Sequence, residues 1–282
     1  MTKSWLVAGA VSAALMGPLT AWADLTLGIF PRRPANQTVP AFTPLAEKLS
    51  VELGEKVTLV VAKDFDAFWQ NVTDKKYDIV HFNQYQYLKS KTLGYKAIVA
   101  NEEQKQKELA GVLLVRKDSG ITKVSDLKGK TIMFGGDEKA MAAYIAPTAI
   151  LKKHGLVEGK DYQAKFAPNP PAAAIAVFNK AADAGGVGDA ILEQKAVTSA
   201  ITAIDMLVLE KSDAFAQLPW AVKGDLANAK AAKIQQVMID LQSTPEGKAI
   251  LKAAMVDSFF KVSDADYSKA KQIIESVTGE KL

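Results

Sequence analysis

KVTLVVAKDFDAFWQNVTDKKYDIVHFNQYQYLKSKTLGYKAIVA, residues 56–100, decides the fold class. KVTLVVA (56–62) is rich in β-branched residues and reads as a strand. Phe65, Phe68, Trp69 and Val72 follow at helical spacing. YDIVHF (77–82) is again a strand, 84–93 a helix and YKAIVA (95–100) another strand. Such strict alternation means parallel strands joined by crossover helices.

The same pattern extends both ways. On the N-terminal side LTLGIF (25–30) is a strand, and after a Pro-rich loop Phe42, Ala46, Leu49 and Leu53 mark one face of a helix that Gly54 ends. On the C-terminal side AGVLLVRK (110–117), TIMFGG (131–136), 161–166 and 183–187 read as strands. Helices are expected over 138–153, from 170 and over 189–199, and IDMLVLE (204–210) returns as a strand. Residues 225–282 then read as helical throughout. Thr244-Pro245 and the pair Ser263 and Asp266 supply helix starts there. Two α/β lobes result: 24–109 with 207–282, and 110–206. They are joined by crossings near 109–112 and 203–208, as in proteins that close on a ligand like a hinge.

The 282 residues carry 35 Lys+Arg against 31 Asp+Glu, a net charge of +4, with no basic cluster fit for a phosphate backbone. Nucleic acid is therefore not expected as a partner. Residues 1–23, MTKSWLVAGAVSAALMGPLTAWA, have one charge at Lys3, an apolar run too short to span a bilayer, and a small-x-small end at Ala21-Trp22-Ala23. They read as a cleaved secretory signal, with no membrane insertion afterwards. Cysteine is absent, which excludes a lipoprotein anchor and disulfides, and a soluble periplasmic protein is the expectation.

Catalytic patterns fail one by one. The histidines, His81 and His154, are too far apart for a helical metal pair, and His154 beside Gly155 suits a helix end. Gly186-x-Gly188 lacks the third glycine of a dinucleotide fingerprint, since position 191 is Ile. Gly129-Lys130-Thr131 lacks the first glycine of a phosphate loop, since position 124 is Val. No enzyme activity, cofactor or metal is expected.

The wording along the chain is more specific. FTPLAEKLSVELGEKVTLVVAKDF from Phe42, then YDIVHFNQYQYL, GVLLVRKDSGITKVSDLKGKTIMFG and YIAPTAILKKHGL, resembles the phosphate/phosphite/phosphonate-binding periplasmic proteins of ABC importers. The resemblance implies a type II periplasmic-binding fold: two α/β lobes, each a mostly parallel sheet flanked by helices, with a C-terminal helical segment. It implies a small-molecule ligand in the interlobe cleft and an inner-membrane permease as partner. The alternative is a sensory subunit for a membrane histidine kinase, without transport. A receptor for ferric iron built on tyrosines is a further, weaker reading.

By the same resemblance, a Ser-Thr-Ser run at a helix start holds the anion in this family, and here the run falls on Ala140-Met141-Ala142, without hydroxyls. Asp137 and Glu138 add negative charge at that helix end. A pocket Tyr falls at Phe65, a family His at Pro170 beside Asn169, and a Gly-Pro at Asn83-Gln84. Tyr87 and the acidic Asp189 are kept. Arg32 and Arg33, just past the first strand, are where a ligand crevice is expected to receive side chains, and two guanidinium forks there would bind an anion. His81, Asn83, Gln84 and Tyr87 are expected to form a ligand wall, and Lys139 and Met141 to face the same space.

Overall fold

The computed structural model describes residues 24–282, so the expected signal segment lies outside the described residues. The chain opens with β1 (Leu25–Ile29), α1 (Ala35–Leu53), β2 (Val57–Val61), α2 (Phe65–Thr73), β3 (Ile79–His81), α3 (Gln84–Ser90) and β4 (Lys96–Glu102). A short β5 (Glu108–Leu109) leads to β6 (Gly111–Arg116) and β7 (Thr131–Phe134). Then come α4 (Ala146–Lys153), β8 (Gln163–Phe166), α5 (Pro170–Phe178), β9 (Ala184–Gly188), α6 (Lys195–Thr198) and β10 (Met206–Lys211). The return runs through β11 (Phe215–Ala216), β12 (Pro219–Val222), α7 (Asn228–Asp240), α8 (Pro245–Ala254), β13 (Ser258–Lys261) and α9 (Ser268–Thr278).

One sheet has the order β13-β4-β12-β3-β1-β2 and the other β10-β6-β9-β7-β8. In the first, β1 to β4 run one way and β12 and β13 against them. In the second, β7 to β10 run one way and β6 against them. Each lobe is thus mostly parallel in strand direction. Between the sheets, β5 and β11 pair as a small antiparallel ribbon that carries both chain crossings.

Local chemistry fixes the elements. The α1 stripe Phe42, Leu45, Ala46, Leu49 and Leu53 is buried, and Gly54 closes the helix at φ 71°, its N–H donating to the Ser50 carbonyl. Asp64 caps α2 through the Ala67 N–H at 2.7 Å, and Thr244 caps α8 through the Gly247 N–H at 3.0 Å. Ser263 and Asp266 form the reciprocal capping box that precedes α9.

Four expectations change. The segment read as a Pro-rich loop is helical from Ala35, with Pro40 and Pro44 inside α1; each removes the N–H that would have bonded the carbonyl four residues back, that of Asn36 for Pro40 and of Pro40 itself for Pro44. The helix expected over 189–199 is only a 3₁₀ turn and the short α6. Residues 207–211, expected in the first lobe, continue the strand 206–211 that pairs with β6 in the second sheet, so the second crossing lies at 212–214. The C-terminal part is not helical throughout: β13 adds to the edge of β4, burying Phe259. No helix among the described residues is long and apolar enough to cross a membrane.

Candidate functional site

A cleft of about 1750 Å³ opens between the two sheets. The chain just past the ends of β1, β7, β8 and β9 lines it, as expected for crevices at the carboxyl ends of parallel strands.

The first-lobe wall rests on a buried polar chain. The Trp220 indole N–H donates to Asn101 Oδ1 at 2.7 Å, and Asn101 Nδ2 donates to Glu103 Oε1 at 2.7 Å. The same Glu103 oxygen accepts from Arg32 Nη2 at 2.9 Å. Because the indole and the carboxylate fix which end of Asn101 is the amide nitrogen, its remaining N–H points to His81 Nε2, 3.2 Å away. His81 Nε2 must therefore accept, which places the ring proton on Nδ1. His81 is fully buried and stacks on Trp220 at 4.4 Å between centroids. Burial, and then the nearby Arg32 and Arg33 charges, hold its pKa well below the ordinary value, so the ring is neutral.

Arg33 is different. It lines the cleft, its Nη1 is buried, and that atom has no hydrogen-bond partner among the described residues. Burial first, then the charge of Arg32, lower its pKa to about 10 against the opposing pull of Glu103. Since Glu103 neutralises Arg32, the Arg32–Arg33–Glu103 group keeps one positive charge near neutral pH.

The other expected site residues divide into two sets. Phe65 lines the cleft beside Phe30, 6.3 Å between ring centroids. Asn83, Gln84, Lys139, Met141, Asn169 and Asp189 also line it, but each is engaged. Asn83 caps α3 through the Gln86 N–H and donates to the Lys139 carbonyl across the cleft. Gln84 donates to the Ala216 carbonyl at 2.9 Å. Lys139 reaches Asp66 on the other lobe at 3.7 Å, and Asn169 caps α5. Met141, only 3% exposed, packs into the core of the first lobe. Asp189 is bound by Lys211 at 2.6 Å and by the Ala110 N–H at 3.2 Å, beside both crossings.

Tyr87 and His81 do not form a ligand wall. Tyr87 is fully buried, donates to Asp264 and accepts from the Ala97 N–H, because its helix turns it into the core rather than the cleft. A tyrosine-built iron site loses its anchor with it, and no group of three His, Asp or Glu side chains among the described residues could hold a metal ion. His154 caps α4 and pairs with Glu210 at 2.7 Å. Gly186 serves packing: a Cβ there would lie 2.3 Å from the Phe134 ring.

The second-lobe wall carries the segment 135–143 and the loop 166–171. Ala140, Met141 and Ala142 begin a π-helical turn that runs into α4, and none offers a hydroxyl to the cleft. Two residues that the sequence did not single out matter here. Glu103 lies in a charged loop where no single acid stands out. Phe166, 44% exposed, sits at the carboxyl end of β8, where the strand-end rule that pointed to Arg32 and Arg33 applies equally.

The family model for the periplasmic substrate-binding protein of phosphonate ABC transporters matches residues 27–267. The chain belongs to this family. It is 23% identical over 254 residues to the phosphonates-binding periplasmic protein of Escherichia coli, covering 88% of this chain and 75% of that protein. It is 22% identical over 262 residues to the Prochlorococcus marinus protein named probable ABC transporter phosphite binding protein, covering 88% of each. Among solved structures it is similar to a Prochlorococcus marinus PhnD1 in complex with methylphosphonate, with TM-score 0.73, 20% identity and coverage of 88% of this chain and 96% of that one. It is also similar to a binding component of an ABC phosphonate transporter from Pseudomonas aeruginosa, with TM-score 0.71, 18% identity and coverage of 88% and 84%. These likenesses fix the two-lobed α/β fold. Phosphonate receptors of this family are ligand-binding subunits of importers, not enzymes, and they work with an inner-membrane permease.

Proposed function

We propose that this protein is the periplasmic receptor of an ABC importer for a small anion held by Arg33, and that simple alkylphosphonates are poor ligands for it. The observation that supports the reading is Arg33, partly exposed at the cleft wall, with a buried and unbonded Nη1 and no ion-pair partner among the described residues. A guanidinium kept partly dry and unmatched is costly unless something else completes it, and an anion in the cleft does so. Arg32, already satisfied by Glu103, holds the charge balance rather than the ligand.

The departure from phosphonate follows from the opposite wall. Where the resemblance places three hydroxyls, this chain has Ala140, Met141 and Ala142. A hydrogen bond to a charged group is worth about 1.5–3 kcal/mol, so two such losses cost a hundredfold or more in affinity. Asp137 and Glu138 on the same wall also repel a dianion. Only a ligand that contacts both lobes favours closure, and the closed form is the one offered to the permease.

The test is a thermal-shift series with phosphite, methylphosphonate, phosphate, sulfate and short carboxylates. A ligand at 100 times its dissociation constant adds about 2.7 kcal/mol of stability. At least one anion is expected to stabilise the wild type and to lose that effect in Arg33→Gln. Strong stabilisation by phosphite or methylphosphonate that survives Arg33→Gln overturns the reading.

A further inference from the structure

The two walls of the cleft differ in kind. The first lobe brings Arg32, Arg33, Glu103 and the amides of Asn83 and Gln84, together with the rings of Phe30 and Phe65. The second brings the Phe166 ring, Pro168, Pro170, Pro171, Ala140 and Met141. Phe166 is the largest apolar surface on that wall and is 44% exposed. Its ring cannot fold away. Tyr144 packs against it at 5.6 Å and Phe134 at 6.0 Å between centroids, and the Tyr144 hydroxyl is tied to Glu158 at 2.8 Å. Phe134 itself is fully buried against Gly186. A rigid aromatic cluster thus presents one wet ring to the ligand space. The acids on this wall, Asp137 and Glu138, make it a poor seat for a second negative charge.

Size agrees. A cleft of about 1750 Å³ has room for a ligand with a body beyond a bare oxyanion. We infer that the ligand is an amphipathic organic anion whose charged head meets Arg33 on the first lobe and whose planar apolar body lies against Phe166 on the second. This rests on the receptor reading above and names the class of ligand for the same cleft. Phe166 is then the residue that selects by ligand body, while Arg33 selects by charge.

The test is calorimetric titration of the protein purified from the periplasm with methylphosphonate, butylphosphonate and phenylphosphonate, which share one head. Acetate and benzoate form a second pair. Phenylphosphonate is expected to bind about tenfold or more tighter than methylphosphonate, with butylphosphonate between, and benzoate tighter than acetate. Phe166→Ala is expected to erase the phenyl gain, lowering phenylphosphonate affinity about tenfold more than that of methylphosphonate. Phe166→Leu, which keeps an apolar side chain, retains part of that gain. Equal affinities across the wild-type series, or a phenyl gain that survives Phe166→Ala, overturn the inference and leave the anion reading standing. Absence of binding by every anion of both heads overturns the anion reading, and this inference with it.

Discussion

The first-lobe wall around Arg32 and Arg33 is polar and backed by hydrogen bonds, whereas the second-lobe wall around Phe166 is apolar and backed by rings. Behind Arg32, every step from Trp220 through Asn101 to Glu103 is matched donor to acceptor. Behind Phe166 lie Tyr144 and Phe134, which fix the ring by packing alone. The difference teaches where each lobe places its cost. The first leaves a cation unmatched at Arg33, and the second leaves an aromatic surface wet at Phe166. A ligand relieves both only by touching both, and that makes binding and closure one event.

Matched cuts behind the two walls should separate them most widely. Asn101→Leu strands the Trp220 N–H and leaves His81 Nε2 and Glu103 each short of a donor. Buried polar groups stripped of partners cost about 1–3 kcal/mol each, so a loss of about 3 kcal/mol or more is expected. Phe134→Leu removes ring packing from the other lobe and should cost about 1–2 kcal/mol. Denaturant midpoints at constant slope measure both. Equal losses would mean that the polar chain is no more demanding than an apolar core.

The second way to sharpen the comparison uses acid. His81 is neutral in the folded protein because burial, and then Arg32 and Arg33, disfavour its charged form. Its folded pKa lies below its unfolded value, so the unfolded chain takes up the extra proton. The resulting stability is fully present above about pH 6.5 and falls as pH drops below it, by up to about 1.4 kcal/mol per pH unit. His81→Phe removes that proton. The stability difference between wild type and variant should therefore shift in the variant's favour by about that slope below pH 6.5. A difference that stays flat from pH 7 to pH 5 would mean that His81 can charge in place.

What could be seen in the sequence follows the same divide between local and distant. Strands and helices with a period of their own, such as 57–61 and the α1 stripe, were legible because their burial is written in spacing. Strand β12 was not. It has four residues, begins with a proline, is buried throughout, and inserts between β3 and β4 from far along the chain. Strand 206–211 was legible as a strand but not as to its sheet, since either edge accepts it until the partner is known. At the site, the rule about strand ends found Arg32 and Arg33 but could not say that Glu103, 71 residues away, takes one and leaves the other. Tyr87 and His81 misled because polar aromatic residues at a strand end suit a ligand wall and a buried network equally well.

The smallest expected effect bears most directly on Arg33. Its folded pKa is lowered to about 10, below the ordinary guanidinium value, by burial and by Arg32. Between those two values the unfolded chain binds more protons than the folded one, so stability should rise with pH across that window. Below it, the charged guanidinium is a constant cost to the ligand-free protein. Because the side chain is only partly buried, solvent screening reduces that cost to about 1 kcal/mol. Arg33→Met keeps much of the packing and removes the charge, so the ligand-free variant should be more stable than the wild type by about that amount, read as a rise in Tm. Protein loaded with an anion should show the reverse order, since the anion completes the guanidinium in the wild type and has nothing to meet in the variant. If Arg33→Met lowers the Tm of the ligand-free protein, the guanidinium is already satisfied within the chain, and the asymmetry between the two walls loses its charged half.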